Sequence, residues 1–436
     1  LPVPHEDLLG PGRVIVKDYW NIPPYNDEPK FFHLTAELNL DQAAHGFSIT
    51  TDIDEALGVV GGSSLNKERA LGKVAGEAAE RFCLLPGDVA TKYVAFNSLS
   101  RGLAVDPNSI SAGMGRSTPD RRSFEIEWVS GFGLKPSRFS WIPSQLVFVP
   151  HSFSDDEVII RPPITTGAAA GMTIEDALYR GLCEVVERDA FMISWLRQLR
   201  LTRLRPTRGL TGNESSILQN TLEASLRYKL MPQFFLLPTG VPLFTVLCVL
   251  WDFTGIGPAV TVGAKASWNV ISATLGSLEE AHQMRPWMRH LLEENSQDTM
   301  PNAQLPRTLR ERALLWLSKG PVQYLSAWLS QCQEEIEISD SHIGRSQASL
   351  GDLVDAIQAQ GGTVYAVDLS AKLRRHHQRG PTMNVVKAIV PEYQPLYLTE
   401  ELRDYSWPRL DSAEKRLRVE ALRPSSQMSS VPHPFL

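Results

Sequence analysis

Cysteine is scarce in this chain and is not arranged for a purpose. Cys83, Cys183, Cys248 and Cys332 stand far apart with no CxxC pair, so zinc-site spacing is missing and no disulfide framework is expected. Long apolar runs are missing as well. No segment reaches the roughly 18 consecutive apolar residues of a membrane span, and the opening LPVPHEDLLGPG lacks the basic-then-apolar order of a secretory signal. No membrane attachment is expected, and a reducing, cytoplasmic setting fits the cysteines best. Neither sign of charge is in large excess: 43 Lys+Arg against 49 Asp+Glu leave a formal net charge of -6. With no polybasic stripe interleaved with aromatics, a nucleic-acid partner is not expected. Ser-His-Asp and Cys-His arrangements for a side-chain nucleophile are absent too. What is present is 436 residues, 43% hydrophobic and 21% charged, enough for a large core and longer than one typical domain.

Hydrophobic periodicity distributes the elements. VIVKDYW and FFHLTAELNL alternate apolar and polar residues around the turn-rich NIPPYNDEPK and predict an antiparallel entry hairpin within residues 1–50. NKERALGKVAGEAAERFCLL predicts a helix from Asn66 to about Leu85, stopped by Pro86. Residues 97–125, polar and rich in Ser, Gly and Arg, read as a mobile surface loop. IEWVSGFGL, SWIPSQLVFVPH and EVIIRPPI predict strands, as do PQFFLLPT, PLFTVLCVLWD and PAVTVGAKAS. ATLGSLEEAHQMRPWMRHLLEEN predicts one long helix, LGDLVDAIQAQGG another, and TVYAVDLS and NVVKAIVPEYQPLYL further strands. RPSSQMSSVPHPFL is polar and Pro-rich, and is expected to lack regular structure unless a site receives it. The fold class is α/β, of the mixed kind, with entry strands in 1–50, a main domain in 51–400 and a closing segment with a Pro-rich tail in 401–436.

One stretch carries charges where a plain amphipathic helix would not need them. In GAAAGMTIEDALYRGLCEVVERDAF, from Gly167 to Phe191, Leu178, Leu182, Val185, Val186 and Ala190 form the apolar stripe, while Asp176, Arg180, Glu184 and Glu187 stack on one face at i, i+4, i+8 and i+11. Carboxylates at i and i+3 repel. The helix near residue 73 repeats the pattern with Lys73, Glu77, Glu80 and Arg81, so ExxER occurs twice, and Glu280, Gln283 and Arg285 make an ExxQxR. Paired carboxylates on neighbouring helices are hard oxygen ligands suited to Mg²⁺ shared with a phosphate-bearing ligand, and the basic residues beside them suit phosphate oxygens. The loop TTGAAAGMT allows close backbone approach, and Thr173 can cap the helix. Asp176 is open to two readings, a ligand or the acid of a T-x-x-D capping box. Lys73 with Glu77, and Arg180 with Asp176 or Glu184, can equally be surface i,i+4 pairs. Cys183 lies on the core side and reads as an inert buried thiol, and His376 and His377 as part of a basic surface turn.

These residues resemble the YcaO family of ATP-utilising, peptide-modifying enzymes. SITTDIDEALGVVGGSSLNKERALGKVAGEAAERF is similar to its first nucleotide segment, TTGAAAGMTIEDALYRGLCEVVERDAF to its second and EEAHQMR to its third, with IEWVSGFGL, WIPSQLVFVP and VVKAIVPEYQPLYL extending the resemblance over about residues 10–436. It implies a YcaO-type fold, with sheets covered by helices around a central ATP site, and ATP and Mg²⁺ as cofactors. By the same resemblance Glu77, Glu80, Glu184 and Glu187, with Glu280, hold Mg²⁺ and phosphates, while Lys73, Asp176, Arg188, Gln283 and Arg285 complete the nucleotide site. The chain departs from the family's pattern at GGSS, where GGKG is common, at Lys73, where Ser is frequent, and at Asp176, where Glu is often found.

A proline-rich end such as VPHPFL, with an entry segment like VIVKDYW, is similar to the cyclodehydratases that make azoline rings in ribosomal peptides. This implies catalytic roles for the tail: Pro432 and Pro434 order it, and the carboxylate of Leu436 serves as proton acceptor. The implied partners are a precursor peptide, a separate E1-like leader-binding protein, a flavin-dependent dehydrogenase and a second copy of the chain in a homodimer. Thioamide-forming and macroamidine-forming relatives share the nucleotide motifs, and a non-catalytic peptide-binding scaffold is a third alternative.

Overall fold

The computed structural model describes residues 8–9, 15–40, 58–100, 102–111, 113–116, 119–154, 156–206, 212–295, 305–332, 334–338, 349–376, 383–424 and 426–436. Most of SITTDIDEALG and His377 lie outside them.

The entry hairpin forms as β1 (Val16–Ile22) and β2 (Phe32–Leu38), antiparallel, and β2 then pairs with β3 (Val59–Ser64). The two entry strands and β3 therefore form one three-stranded sheet. Helix α1 (Lys67–Leu84) follows, capped by the Asn66 side chain on Arg69 N at 3.0 Å.

A six-stranded sheet runs in the order β4 (Thr91–Ala95), β5 (Glu125–Leu134), β13 (Tyr365–Asp368), β14 (Asn384–Ile389), β7 (Ala168–Gly171), with β6 (Ser137–Pro143) also on β5. Helix α2 (Ile174–Arg197), with its N-terminal Thr173 cap, leaves β7 and packs against β7 and β14. The third sheet has the order β11 (Val260–Ser267), β10 (Phe244–Asp252), β9 (Leu230–Leu237), β8 (Thr202–Pro206), β12 (Glu335–Ile338). It is antiparallel except for β8 with β12. Helices α3 (Asn213–Arg227) and α4 (Val270–Gln283) cover one face of it. Beyond them come α5 (Arg285–Glu294), α6 (Leu309–Trp316), α7 (Lys319–Leu329), α8 (Leu350–Ala359), α9 (Ser370–His376) and α10 (Trp407–Leu417). No described helix is long and apolar enough to cross a membrane.

Three local expectations change. EVIIRPPI is not a strand: Pro162 and Pro163 have no N–H for a ladder, and Ile160 N is satisfied instead by Gln145 Oε1 at 2.8 Å. The long helix is two, broken at Met284, because Pro286 fits the first turn of a new helix better than the interior of an old one. The polar 97–125 stretch is anchored through its arginines: buried Arg121 donates to the Pro107 and Ile110 carbonyls, Arg122 pairs with Asp106, and Arg116 pairs with Asp411 of α10.

Candidate active site

Three helices carry the acidic motifs, and each lies unusually close to a strand. A Cβ on Gly62 of β3 would sit 2.7 Å from Lys73 Cβ, and one on Gly263 of β11 would sit 2.3 Å from the Ser277 carbonyl oxygen. Only glycine lets α1 and α4 approach so closely.

The approach brings glutamates within reach of strand amides. Glu77 Oε2 accepts from Gly61 N at 3.0 Å, Glu80 Oε1 from Ala170 N at 2.8 Å, Glu184 Oε2 from Gly167 N at 3.0 Å, Glu187 Oε2 from Ala266 N at 2.8 Å and Glu280 Oε2 from Ala264 N at 2.8 Å. The donors belong to β3, to β7 and the residue leading into it, and to β11. Each of these strands is the outer strand of its own sheet. Outward N–H groups of an edge strand have no ladder partner, and here helix carboxylates supply one. The five glutamates thus mark where three sheet edges meet.

Fastening one oxygen leaves the other for the cleft. Oε1 of Glu184, of Glu187 and of Glu280 each stand 3.7 Å from the Arg188 guanidinium, too far for a direct hydrogen bond. Arg188 Nη1 is buried with no partner. Burial, with Glu184 and Glu77 nearby, pushes the Glu80 carboxyl up to about 8 despite the Ala170 amide. Burial likewise raises Glu187, opposed by Lys265 and Arg188. Among the described residues no three His, Cys, Asp or Glu converge closely enough to hold a metal by themselves. Mg²⁺ characteristically takes one or two carboxylates and completes its octahedron with waters and phosphate oxygens. Strained carboxylates beside an arginine with an unused donor fit Mg²⁺ shared with a polyphosphate.

The other predicted residues fare differently. Gln283, at the end of α4, lies against Gly61, its side-chain nitrogen 3.3 Å from where a Cβ there would be. Lys73 does not pair with Glu77, which takes Arg81 at 3.4 Å. Its ammonium reaches Glu279 Oε2 at 2.8 Å and the Ser63 carbonyl at 3.0 Å. Glu279, fully buried, also binds Arg69 at 3.0 Å and Ser64 Oγ at 2.6 Å. Asp176 accepts from Met172 N at 3.3 Å and pairs with exposed Arg180 at 2.9 Å, about 12 Å along the helix axis from Glu184. Arg285 is buried and held by Glu28 at 2.7 Å and Asp252 at 2.8 Å. Two carboxylates thus occupy its fork.

The tail has no helix or strand, yet it is packed into the core beside the site. Trp316 Nε1 donates to the Pro432 and His433 carbonyls at 3.2 and 3.1 Å, and Arg312 Nη1 to His433 O at 3.1 Å. Phe435, 3% exposed, packs on Phe191, and the Arg188 guanidinium stacks 4.0 Å from the centre of its ring. Pro434 and Leu436 line a small cavity with Val260, Val262, Met284 and Trp316. The prolines anchor the tail, and their rings carry no reactive group.

Four further charged residues complete the cleft: Arg69, Glu279, Lys265 on β11 and Lys387 on β14. Lys387 donates to the Ile164 carbonyl at 2.6 Å, and burial pulls its amine down to about 7 although Glu184 opposes this. The two lysines had a signal in the sequence, a single cation inside the apolar runs AVTVGAKAS and NVVKAIV. Glu279 was hidden beside Glu280 in SLEEA.

A mixed α/β fold thus gathers hard acids and cations where three sheet edges meet. The family model described as YcaO cyclodehydratase, ATP- and Mg²⁺-binding, matches residues 61–394. The chain belongs to that family, for which ATP and Mg²⁺ are the cofactors. An uncharacterised protein from the tfuA 3′ region of Rhizobium leguminosarum bv. trifolii is 29% identical over 160 residues, covering 34% of this chain and 36% of that protein. Among solved structures, a heterocyclase in complex with substrate and cofactor has a TM-score of 0.72 at 18% identity over 99% of this chain and 56% of its own. YcaO from Methanopyrus kandleri, bound with AMPPCP and Mg²⁺, has a TM-score of 0.59 at 20% identity over 89% and 88%. The chain thus spans about a third of that curated relative and about half of the first of these structures.

Proposed function

We propose that this chain catalyses ATP-dependent cyclodehydration of Cys, Ser or Thr in a ribosomally made precursor peptide, giving thiazoline or oxazoline rings. The peptide's thiol or hydroxyl loses its proton and attacks the preceding backbone carbonyl carbon. The carbonyl oxygen, now on a hemiorthoamide, accepts the γ-phosphoryl group of ATP. The C–O bond then breaks, inorganic phosphate leaves, and loss of the amide proton forms the C=N bond, so the peptide has lost one water.

The observation that carries the reading is what gathers at the three sheet edges: hard carboxylates and an under-used arginine. The thiols beside them do not serve as nucleophiles, since burial pushes Cys183 up to about 12 and Cys248 well above its ordinary value. The attacking group therefore comes from the peptide, and the protein's task is to position and to neutralise charge. Glu77, Glu80, Glu184, Glu187 and Glu280 would hold Mg²⁺, with Arg188 and Gln283 on the phosphates. Bound Mg²⁺ supplies Lewis-acid stabilisation of phosphoryl charge. The residues Pro432–Leu436 close the apolar side of the cleft against Arg188. A separate E1-like leader-binding protein presents the peptide, a flavin-dependent dehydrogenase oxidises the rings, and the chain works as a homodimer. This part of the proposal rests on the resemblance of the tail and nucleotide segments to azoline-forming enzymes.

The test is mass spectrometry of the precursor peptide after incubation with the chain, the leader-binding partner and Mg·ATP. Loss of one water per ring, with one phosphate released for each, is expected. Replacement of oxygen by sulfur would redirect the proposal to thioamide formation, dehydrative attachment of an amine to amidine formation, and no ATP turnover to a scaffold. Phe435→Leu, which keeps apolar packing but removes the ring beneath Arg188, and deletion of Pro432–Leu436 should both sharply lower ring formation while partner binding survives. Full activity in both would remove the tail's role.

A further inference from the structure

Helix α4 has a glycine at Gly276, where any other ordinary residue would make a better helix. The space around it explains the choice. A Cβ on Gly276 would stand 2.7 Å from Lys265 Cγ, 3.2 Å from its Cβ and 3.3 Å from its Cδ. The lysine stem therefore runs across α4 through a notch that only glycine leaves open. Lys265 sits between Ala264 and Ala266, the two residues whose amides fasten Glu280 and Glu187. On β11 it shares a face with Gly263, the other residue in intimate contact with α4.

Lys265 differs from the other cations here. Arg69 and Lys73 are tied to buried Glu279, whereas Lys265 is solvent-accessible on an otherwise buried stretch of strand. The charges acting on it are the carboxylates of Glu187, Glu280 and Glu184, which hold its ammonium above the ordinary value against the pull of its surroundings. Lys73 is its cationic neighbour. Among the described residues no carboxylate comes within ion-pair distance of it, so its three donors remain available.

We infer that Lys265, admitted by Gly276, is a phosphate-contacting residue that binds the polyphosphate end of the nucleotide, an inference that rests on the ATP reading of the site. An ammonium is the point-charge partner of a phosphate oxygen, and this one is delivered from a strand through a notch in the neighbouring helix. A lysine serving only as counter-charge to the glutamates would stabilise the fold and would not distinguish between nucleotides.

The experiment measures binding of ATP, ADP and AMP with Mg²⁺ by titration calorimetry, together with unfolding without nucleotide, for the wild type, Lys265→Met, Gly276→Ala, Lys265→Ala and the Lys265→Ala/Gly276→Ala double variant. Lys265→Met is expected to weaken ATP and ADP by about tenfold or more and to leave AMP unchanged. Gly276→Ala should weaken ATP in the wild-type background by displacing the lysine, and should have no further effect once Lys265 is alanine. ATP affinity unchanged in Lys265→Met, an equal loss for AMP, or a Gly276→Ala effect that persists in full without the lysine would overturn the inference. A wild-type protein that binds none of the three would remove the ATP reading itself, and the inference with it.

Discussion

Glu80→Gln separates a glutamate that is merely solvated from one held at a cost. Gln keeps the shape and can still accept from Ala170 N, so only the charge is removed. The Glu80 carboxyl is pushed from 4.5 up to about 8, by burial first and then by Glu184 and Glu77. Above pH 4.5 the unfolded chain loses this proton while the folded chain keeps it until about pH 8. Stability therefore falls as pH rises through that window and is level on either side. The full shift corresponds to roughly 3–5 kcal/mol. Relative to wild type, the variant should be equally stable near pH 4.5 and more stable by about that amount at pH 9. Urea unfolding at a series of pH values in metal-free buffer reads this directly. Saturating Mg·ATP should narrow the gap: at 100 times Kd the wild type gains about 2.7 kcal/mol, and the variant much less. A variant no more stable than wild type at pH 9 would refute the claim that this carboxylate is strained.

Three other substitutions test neighbouring claims. Arg285→Met leaves buried Asp252 without its cation and buried Glu28 with only Arg289 at 3.7 Å, and should cost about 3–5 kcal/mol in urea unfolding, with ATP affinity of the folded protein unchanged; selective loss of ATP binding would place Arg285 on the phosphates. Lys73→Met leaves Arg69 still on Glu279, so a smaller cost, about 1–3 kcal/mol, is expected; a loss under 0.5 kcal/mol, roughly that of an ordinary surface change, would mean that the Glu279 pair contributes little. Lys387→Met acts on an amine pulled down to about 7 by burial. The unfolded chain binds the proton that the folded chain releases between about pH 7 and its ordinary value, so wild-type stability rises with pH in that window. The variant's advantage over wild type should shrink correspondingly, and an advantage that stays constant with pH would contradict the assignment.

The acidic helices were legible in the sequence because their information is local. Glu184 and Glu187, like Glu77 and Glu80, share a helix face by the 3.6-residue repeat alone, and all four do reach one cleft. The hairpin β1–β2, the Thr173 and Asn66 caps and the buried Cys183 follow equally from short-range pattern. In EVIIRPPI and in the run through Pro286 apolar content points to a continuous element and proline's missing N–H to a break, and the missing N–H decides.

Only the tertiary structure decided the remainder. That β3, β7 and β11 end three sheets at the same place, so that their unpaired amides can each take a carboxylate, depends on how the three sheets pack and on long-range pairing such as Ala170 of β7 with Val385 of β14. The same long-range geometry sends Arg285 to Glu28, 257 positions away, Lys73 to Glu279, and Arg312 to the tail at His433. A charge pattern in sequence states which groups are available. Which carboxylate a given arginine meets is set by the packing of sheets and helices, and the low dielectric of the interior makes that choice energetically decisive.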